Sequence, residues 1–212
     1  MVFDFGGPVL LTPFEVRAIG ERNLGLEPGS LSFTGPFDPE ADPDWRTFQS
    51  GGMNEREYWA LQAQRVSELT GRPADMHSMM TPLYEASEAE LVRPGAVQLI
   101  HDAKQAGILV GVHTNDLTAF HNAEWLERMT ILNEFEVMVD GRTDGVYKPD
   151  AAAFELMIER MGMDPQDIVF IDDQPVNIEG GKAMGMLCVH LDPTNPEPAY
   201  AQARQLLGLP AT

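Results

Sequence analysis

The sequence predicts an α/β fold: a doubly wound parallel sheet with a small all-helical unit inserted near its start. Three observations carry this expectation. After Pro94, apolar strand-like runs alternate with helix-like segments, the pattern of a parallel sheet with crossover helices. These runs are continuously apolar, as in strands buried on both faces. Residues 14–92 contain no strand pattern and read as a helical insertion. The expected division is therefore residues 1–13 with 93–212 as the α/β domain and residues 14–92 as the helical one, a division for which 212 residues suffice.

The elements follow in order. Residues 1–12 read as a short strand and a glycine turn, with only three residues ahead of Asp4. Residues 14–24 are helix-like, and residues 27–52, rich in Pro, Gly, Asp and Ser, read as loop. Asn54 with Glu57 forms a capping box that opens a helix to Leu69. Residues 75–92 add one or two shorter helices. A helix over 94–106 has Pro94 in its first turn and stops at Gly107. ILVGVH (108–113) is a strand ending in Thr114-Asn115-Asp116, followed by a helix over 117–129 and a strand near 135–139. Asp150 caps a helix running to about Gly162. IVFI (168–171) is a strand ending in Asp172-Asp173. A helix over 176–184, a strand over 186–191 and a helix near 198–207 complete the chain.

Composition narrows the function. Hydrophobic residues make up 43% and charged residues 22%, the balance of a chain with a real core. The 33 acidic residues against 14 Lys and Arg give a net charge of −19. Such a surface repels phosphate backbones and anionic lipids, so neither nucleic acid nor membrane is an expected partner. An anionic substrate must then be captured by locally placed positive charge. The single cysteine, Cys188, excludes an internal disulfide and lies in the apolar run MLCVHL as a structural thiol. Asp4 interrupts any apolar leader, and the longest apolar stretch, 106–112, is too short to span a bilayer. The expected setting is cytoplasmic, as a monomer or homodimer.

Open parallel sheets bind ligands beyond the carboxyl ends of their strands. Four segments bring polar groups there: Asp4 after the first strand, Thr114 after ILVGVH, Asp172 and Asp173 after IVFI, and Lys148 in GVYKPD just before a helix. Asp4 is a candidate nucleophile toward phosphorus. Asp4 and Asp172 offer hard oxygen ligands to Mg²⁺, and Asp173 suits a more distant role because adjacent side chains diverge. Thr114 and the following N–H suit phosphate oxygens, and Asn115 is a candidate substrate contact. Lys148 neutralises charge among the carboxylates and the phosphate. Taken singly, each of these is an ordinary turn or helix cap; it is their order and common edge that point to chemistry.

With these residues in place, the chain resembles the haloacid dehalogenase (HAD) superfamily. The resemblance rests on Asp4 in VFDFGGPVL, Thr114 in GVHTNDL, Lys148 in GVYKPD, and Asp172-Asp173 with Asn177 in VFIDDQPVNIEGGKAMGM. It implies a Rossmann-like core with a helical cap inserted after the first motif, an Asp4 nucleophile, and phosphate-ester hydrolysis of a small phosphorylated metabolite. It also implies a Mg²⁺ site built from Asp4, the Gly6 carbonyl, Asp172 and Asp173, with Phe5, Gly6 and Asn115 near the substrate. Receiver domains also use acids, Thr and Lys, but there the acid pair comes first; no P-loop or GxGxxG motif occurs.

The chain departs from the family at Gly6, where most family phosphatases carry a second Asp that protonates the leaving oxygen and activates water. Gly6 keeps the carbonyl but not the acid, a loss typically worth ~10²–10⁴ in rate. Pro8, where Thr or Val is common, is a second departure. Three readings follow: a phosphatase for leaving groups that need little protonation, or with a water, Glu15 or Asp116 as substitute; a 2-haloacid dehalogenase; or a non-catalytic binding protein on this scaffold. The Asp172-Asp173 pair argues against the dehalogenase, because bare acids beside Asp4 call for a cation. Zinc is not expected, since the five histidines show no HxH or HExxH spacing, and His113 is expected to pack on the face opposite Thr114.

Overall fold

The computed structural model describes residues 1–211, which divide into two compact units. One comprises Met1–Leu11 and Val92–Thr212, the other Thr12–Leu91. The first is built on a five-stranded, all-parallel sheet: β1 (Val2–Phe3), β2 (Gly111–Thr114), β3 (Val137–Asp140), β4 (Val169–Asp172) and β5 (Leu187–His190). The strand order β3-β2-β1-β4-β5 puts the chain's first strand at the centre. With its flanking helices it is the Rossmann-like doubly wound fold that the alternation of strands and helices predicts.

Central placement explains how a two-residue strand survives. Val2 and Phe3 pair with Gly111 and Val112 on one side and with Phe170 and Ile171 on the other, and both are fully buried. The Met1 ammonium donates to the Leu109 carbonyl at 2.8 Å, and burial lowers its pKa to about 6. Beneath the sheet, Val139, Phe154, Met157, Ile168 and Phe170 form the core that the helix Ala151–Met161 covers.

The strands match the apolar runs with short shifts. Residues 108–110 precede β2 rather than belong to it: the paired register with both neighbouring strands, β1 and β3, begins at Gly111. The expected helix over 117–129 is two helices, Leu117–Phe120 and Ala123–Arg128. Asn122 breaks it: its side chain accepts from the Trp125 N–H and starts the second helix afresh. Asp150 occupies the N-cap of Ala151–Met161, but its side chain makes no capping hydrogen bond.

The unit Thr12–Leu91 contains helices Arg17–Leu24, Pro43–Gln49, Glu55–Thr70, Met76–Leu83 and Glu88–Leu91. The capping box of Asn54 and Glu57 is present with both bonds. Residues 27–52 are not simply loop. Asp42 caps Pro43–Gln49, with Pro at its first position, and the helix buries Trp45. Dense Pro, Gly and Asp hid a proper helix start. Trp45 packs against Phe14 and Tyr58, and these two rings pack in turn against Trp59, in an aromatic cluster whose contacting ring centroids are 5.0–6.2 Å apart. Gly20 permits close helix contact, since a Cβ there would lie 2.3 Å from Leu83 Cδ2.

Candidate active site

Sheet register builds the site. Phe3 pairs with Ile171, and the Asp4 N–H continues the ladder to the Ile171 carbonyl at 2.8 Å, so Asp4 stands level with Asp172 on the neighbouring strand. Level residues on adjacent parallel strands point to the same face, about 5 Å apart. Two carboxylates are thus set side by side at the carboxyl edge, and a one-residue slip would separate them.

Lys148 bridges them. Its Nζ lies 2.6 Å from Asp172 Oδ2 and 3.0 Å from Asp4 Oδ1, and its side chain is 1% exposed. Burial alone disfavours the ammonium, but Asp172 and Asp4 together hold its pKa above the ordinary lysine value. For Asp4 the balance runs the other way. Burial pushes its carboxyl up to about 7, Lys148 opposes the rise, and Asp172 adds to it. One cation shared by two acids leaves negative charge uncompensated.

The two acids of the pair have different surroundings. Asp172 is fully buried and its oxygens are occupied: Oδ1 accepts from the Gln174 N–H and Asn177 Nδ2, and Oδ2 from Lys148 and the same Asn177 nitrogen. Asp173 is half-buried and its carboxylate sits against Gly7, where an added Cβ would lie 2.7 Å from Asp173 Cγ. Asp4, Asp172 and Asp173 each offer a carboxylate oxygen within 4.8 Å of the others. Three hard donors against a single ammonium suit a divalent cation. The adjacent acids do diverge as expected, but it is Asp172 that turns to protein partners and Asp173 that turns toward the loop after Asp4.

The remaining candidates fall into two groups. Thr114 is buried at the end of β2, on the same sheet edge. Gly6 is exposed, and a Cβ there would meet nothing within 4 Å. Phe5 buries its ring 6.5 Å from Phe135, so only its main chain is near the site; its N–H donates to the Asp4 carboxylate. Asn115 is engaged elsewhere: its Oδ1 accepts from the Lys148 N–H at 2.8 Å and its Nδ2 donates to the Lys148 carbonyl at 2.9 Å. Glu15, considered as a substitute acid, closes a local turn by accepting from the Thr12 N–H and hydroxyl. His113 is packed among Phe154 and Phe170, with burial pushing its pKa down to about 2. Neither of its ring nitrogens has a hydrogen-bond partner among the described residues.

Two supporting residues escaped the sequence reading. The Arg93 Nε donates to the Gly7 carbonyl at 2.5 Å, and the Tyr200 hydroxyl to the Pro8 carbonyl at 2.7 Å. Both side chains are buried, and together they fasten the turn that follows Asp4. No local signal marks them, because the partners lie 86 and 192 residues away.

Comparison with known proteins places this geometry in context. The family model described as "haloacid dehalogenase-like hydrolase" matches residues 2–185. Phosphoglycolate phosphatase of Escherichia coli strain K12 is 30% identical over 138 residues, 59% of this chain and 54% of that protein. Acyl-CoA dehydrogenase family member 10 of Mus musculus is 23% identical over 211 residues, 99% of this chain but 19% of that protein. The chain thus spans about half the length, or less, of these curated relatives. Among solved structures, the HAD hydrolase YfnB of Bacillus subtilis bound to magnesium superposes with a TM-score of 0.70 at 18% identity, covering 98% of this chain and 97% of that one. No helix among the described residues is long and apolar enough to cross a membrane.

Proposed function

Because the chain belongs to the haloacid dehalogenase-like hydrolases, we propose that it is a Mg²⁺-dependent phosphomonoester hydrolase for a small phosphorylated metabolite, with Asp4 as nucleophile. The observation that carries this reading is the buried Lys148 ammonium between Asp4 and Asp172, with Asp173 beside them. A displacement of halide from carbon has no use for three clustered acids, whereas a phosphate dianion and its cation do. The phosphoglycolate phosphatase relative supports the same substrate class. Residues 12–91 are read as the helical cap that selects the substrate.

In this mechanism an Asp4 oxygen bonds to phosphorus as the ester P–O bond breaks, and the leaving oxygen keeps the electron pair. Lys148 holds Asp4 Oδ1 and offsets charge on the phosphoryl oxygens. Thr114 binds a phosphoryl oxygen through its hydroxyl. Water then attacks phosphorus, the bond to Asp4 breaks, and inorganic phosphate leaves with the carboxylate restored and a proton passed to solvent. Asp4, Asp173 and the Gly6 carbonyl would hold Mg²⁺, with Asp172 beside them adding negative charge while its oxygens stay on Lys148, Gln174 and Asn177; when bound, the cation would neutralise charge on the phosphate. Gly6 supplies no proton to the leaving oxygen, so aryl, acyl and anomeric sugar phosphates are the favoured esters.

The test is phosphate release from p-nitrophenyl phosphate with Mg²⁺ or EDTA, beside chloride release from 2-chloropropionate. Release should require Mg²⁺ and vanish in Asp4→Asn. Phosphate release that survives EDTA or Asp4→Asn, or chloride release without metal, overturns the reading.

A further inference from the structure

Lys148 must reach acids on two strands from a segment, residues 145–150, that is neither helix nor strand. Four methylenes separate its ammonium from its backbone, so any drift of that backbone moves the charge. The segment borrows its order from Asn115. The Asn115 carboxamide bonds both the N–H and the C=O of Lys148, at 2.8 and 2.9 Å. A carboxamide carries the same donor and acceptor as a peptide group, so Asn115 acts as the missing neighbour strand for this one residue. Asn115 is itself anchored: its carbonyl accepts from the Arg142 N–H at 3.1 Å, and a Cβ on Gly141 would lie 2.9 Å from that oxygen.

We propose that Asn115 is the positioning residue for Lys148, not a substrate contact: it fixes the lysine backbone so that the ammonium stays between Asp4 and Asp172. The proposal rests on the phosphatase reading only for its kinetic readout. Asn115→Ala removes both bonds. Asn115→Asp keeps the acceptor for the Lys148 N–H but sets a carboxylate oxygen against the Lys148 carbonyl.

The chain holds three lysines, Lys104, Lys148 and Lys182, which allows a direct assay. Amine labelling of the folded, full-length protein is followed for each lysine by mass spectrometry. In the parent protein Lys148 should label far more slowly than Lys182, which is 54% exposed in its side chain. Asn115→Ala should raise the Lys148 rate about tenfold or more while Lys104 and Lys182 keep theirs, as expected for local opening. An unchanged Lys148 rate, or a rise at all three lysines, overturns the proposal.

A double-mutant cycle with p-nitrophenyl phosphate supplies the second readout. Asn115→Ala should lower kcat by about 10²-fold with little change in KM, the scale expected for a misplacement of roughly 1 Å, and Asn115→Asp should fall between. In a Lys148→Ala background the same change should cost nothing further, whereas independent effects multiply; multiplication overturns the proposal. If the parent protein releases no phosphate, the phosphatase reading fails while the labelling assay still decides the role of Asn115.

Discussion

Gly6 and Gly7 are neighbours under opposite constraints. Gly7 has φ +94°, and a Cβ there would lie 2.7 Å from Asp173 Cγ. Gly7→Ala should therefore cost about 1–2 kcal/mol for the backbone alone and displace the Asp173 carboxylate. The expected outcome is a lower Tm and a higher Mg²⁺ concentration for half-maximal activity, measured by metal titration. Gly6 lacks both constraints: its φ is not positive and its Cβ direction is open. Gly6→Asp should fold with stability within about 0.5 kcal/mol of the parent. It should raise turnover of alkyl phosphates by ~10²-fold or more, with a smaller gain for p-nitrophenyl phosphate, because only a basic leaving oxygen needs the proton. Equal gains on both esters would count against proton transfer as the missing step. A side chain at position 6 thus meets no obstacle at its Cβ.

Among the elements, the helix Pro43–Gln49 shows how a segment dense in helix breakers becomes ordered. Asp42 is 2% exposed and accepts from the N–H groups of Thr34, Gly35 and Trp45 and from the Tyr58 hydroxyl at 2.7–3.1 Å. One carboxylate thus ties a loop, a helix start and the long helix Glu55–Thr70 together. Burial raises its pKa, but these donors outweigh burial and hold it below the ordinary carboxylate value. A depressed folded-state pKa contributes stability that is present above the unfolded value and lost as pH falls through the folded one. The loss should therefore begin near pH 4, the unfolded aspartate range, and deepen on acidification. Asp42→Asn should destabilise the unit Thr12–Leu91 at pH 7 by about 3 kcal/mol, as loss of a buried charged acceptor does. It should also flatten the decline of stability below that pH. Thermal melts between pH 3 and 7, monitored by tryptophan fluorescence, test both; an unaltered acid profile would remove Asp42 from this role.

At the scale of the whole molecule, net charge −19 opposes the approach of an anionic substrate, and the cation at the candidate site, Lys148, is already shared by Asp4 and Asp172. Added salt should screen that repulsion, whose reach is about 10 Å at 0.1 M. At saturating Mg²⁺, kcat/KM for a phosphate ester should rise as KCl goes from about 10 to 200 mM, and stopped assays across that series give the slope. A fall would mean that attraction to the site outweighs repulsion by the surface. Much of the architecture is legible locally. Continuous apolar runs mark buried strands, the capping box at Asn54 marks a helix start, and the acids, Thr and Lys that end or follow strands mark one sheet edge. Where the local signals mislead, a second signal competes, as Asn122 does inside the run 117–129 and as Pro and Gly do around Asp42. By itself the sequence determined which chemical groups reach that edge and in what order, because strand ends and caps depend on neighbours a few residues apart. Only the tertiary structure decided which group meets which: Asp172 with Lys148 and Asn177, Asp173 toward Gly7, Asn115 on the Lys148 backbone, Arg93 and Tyr200 on the turn after Asp4. The physical reason is that hydrogen bonds and ion pairs act over about 3 Å, and contacts that fine between distant residues depend on sheet register, which no local stretch of chain contains.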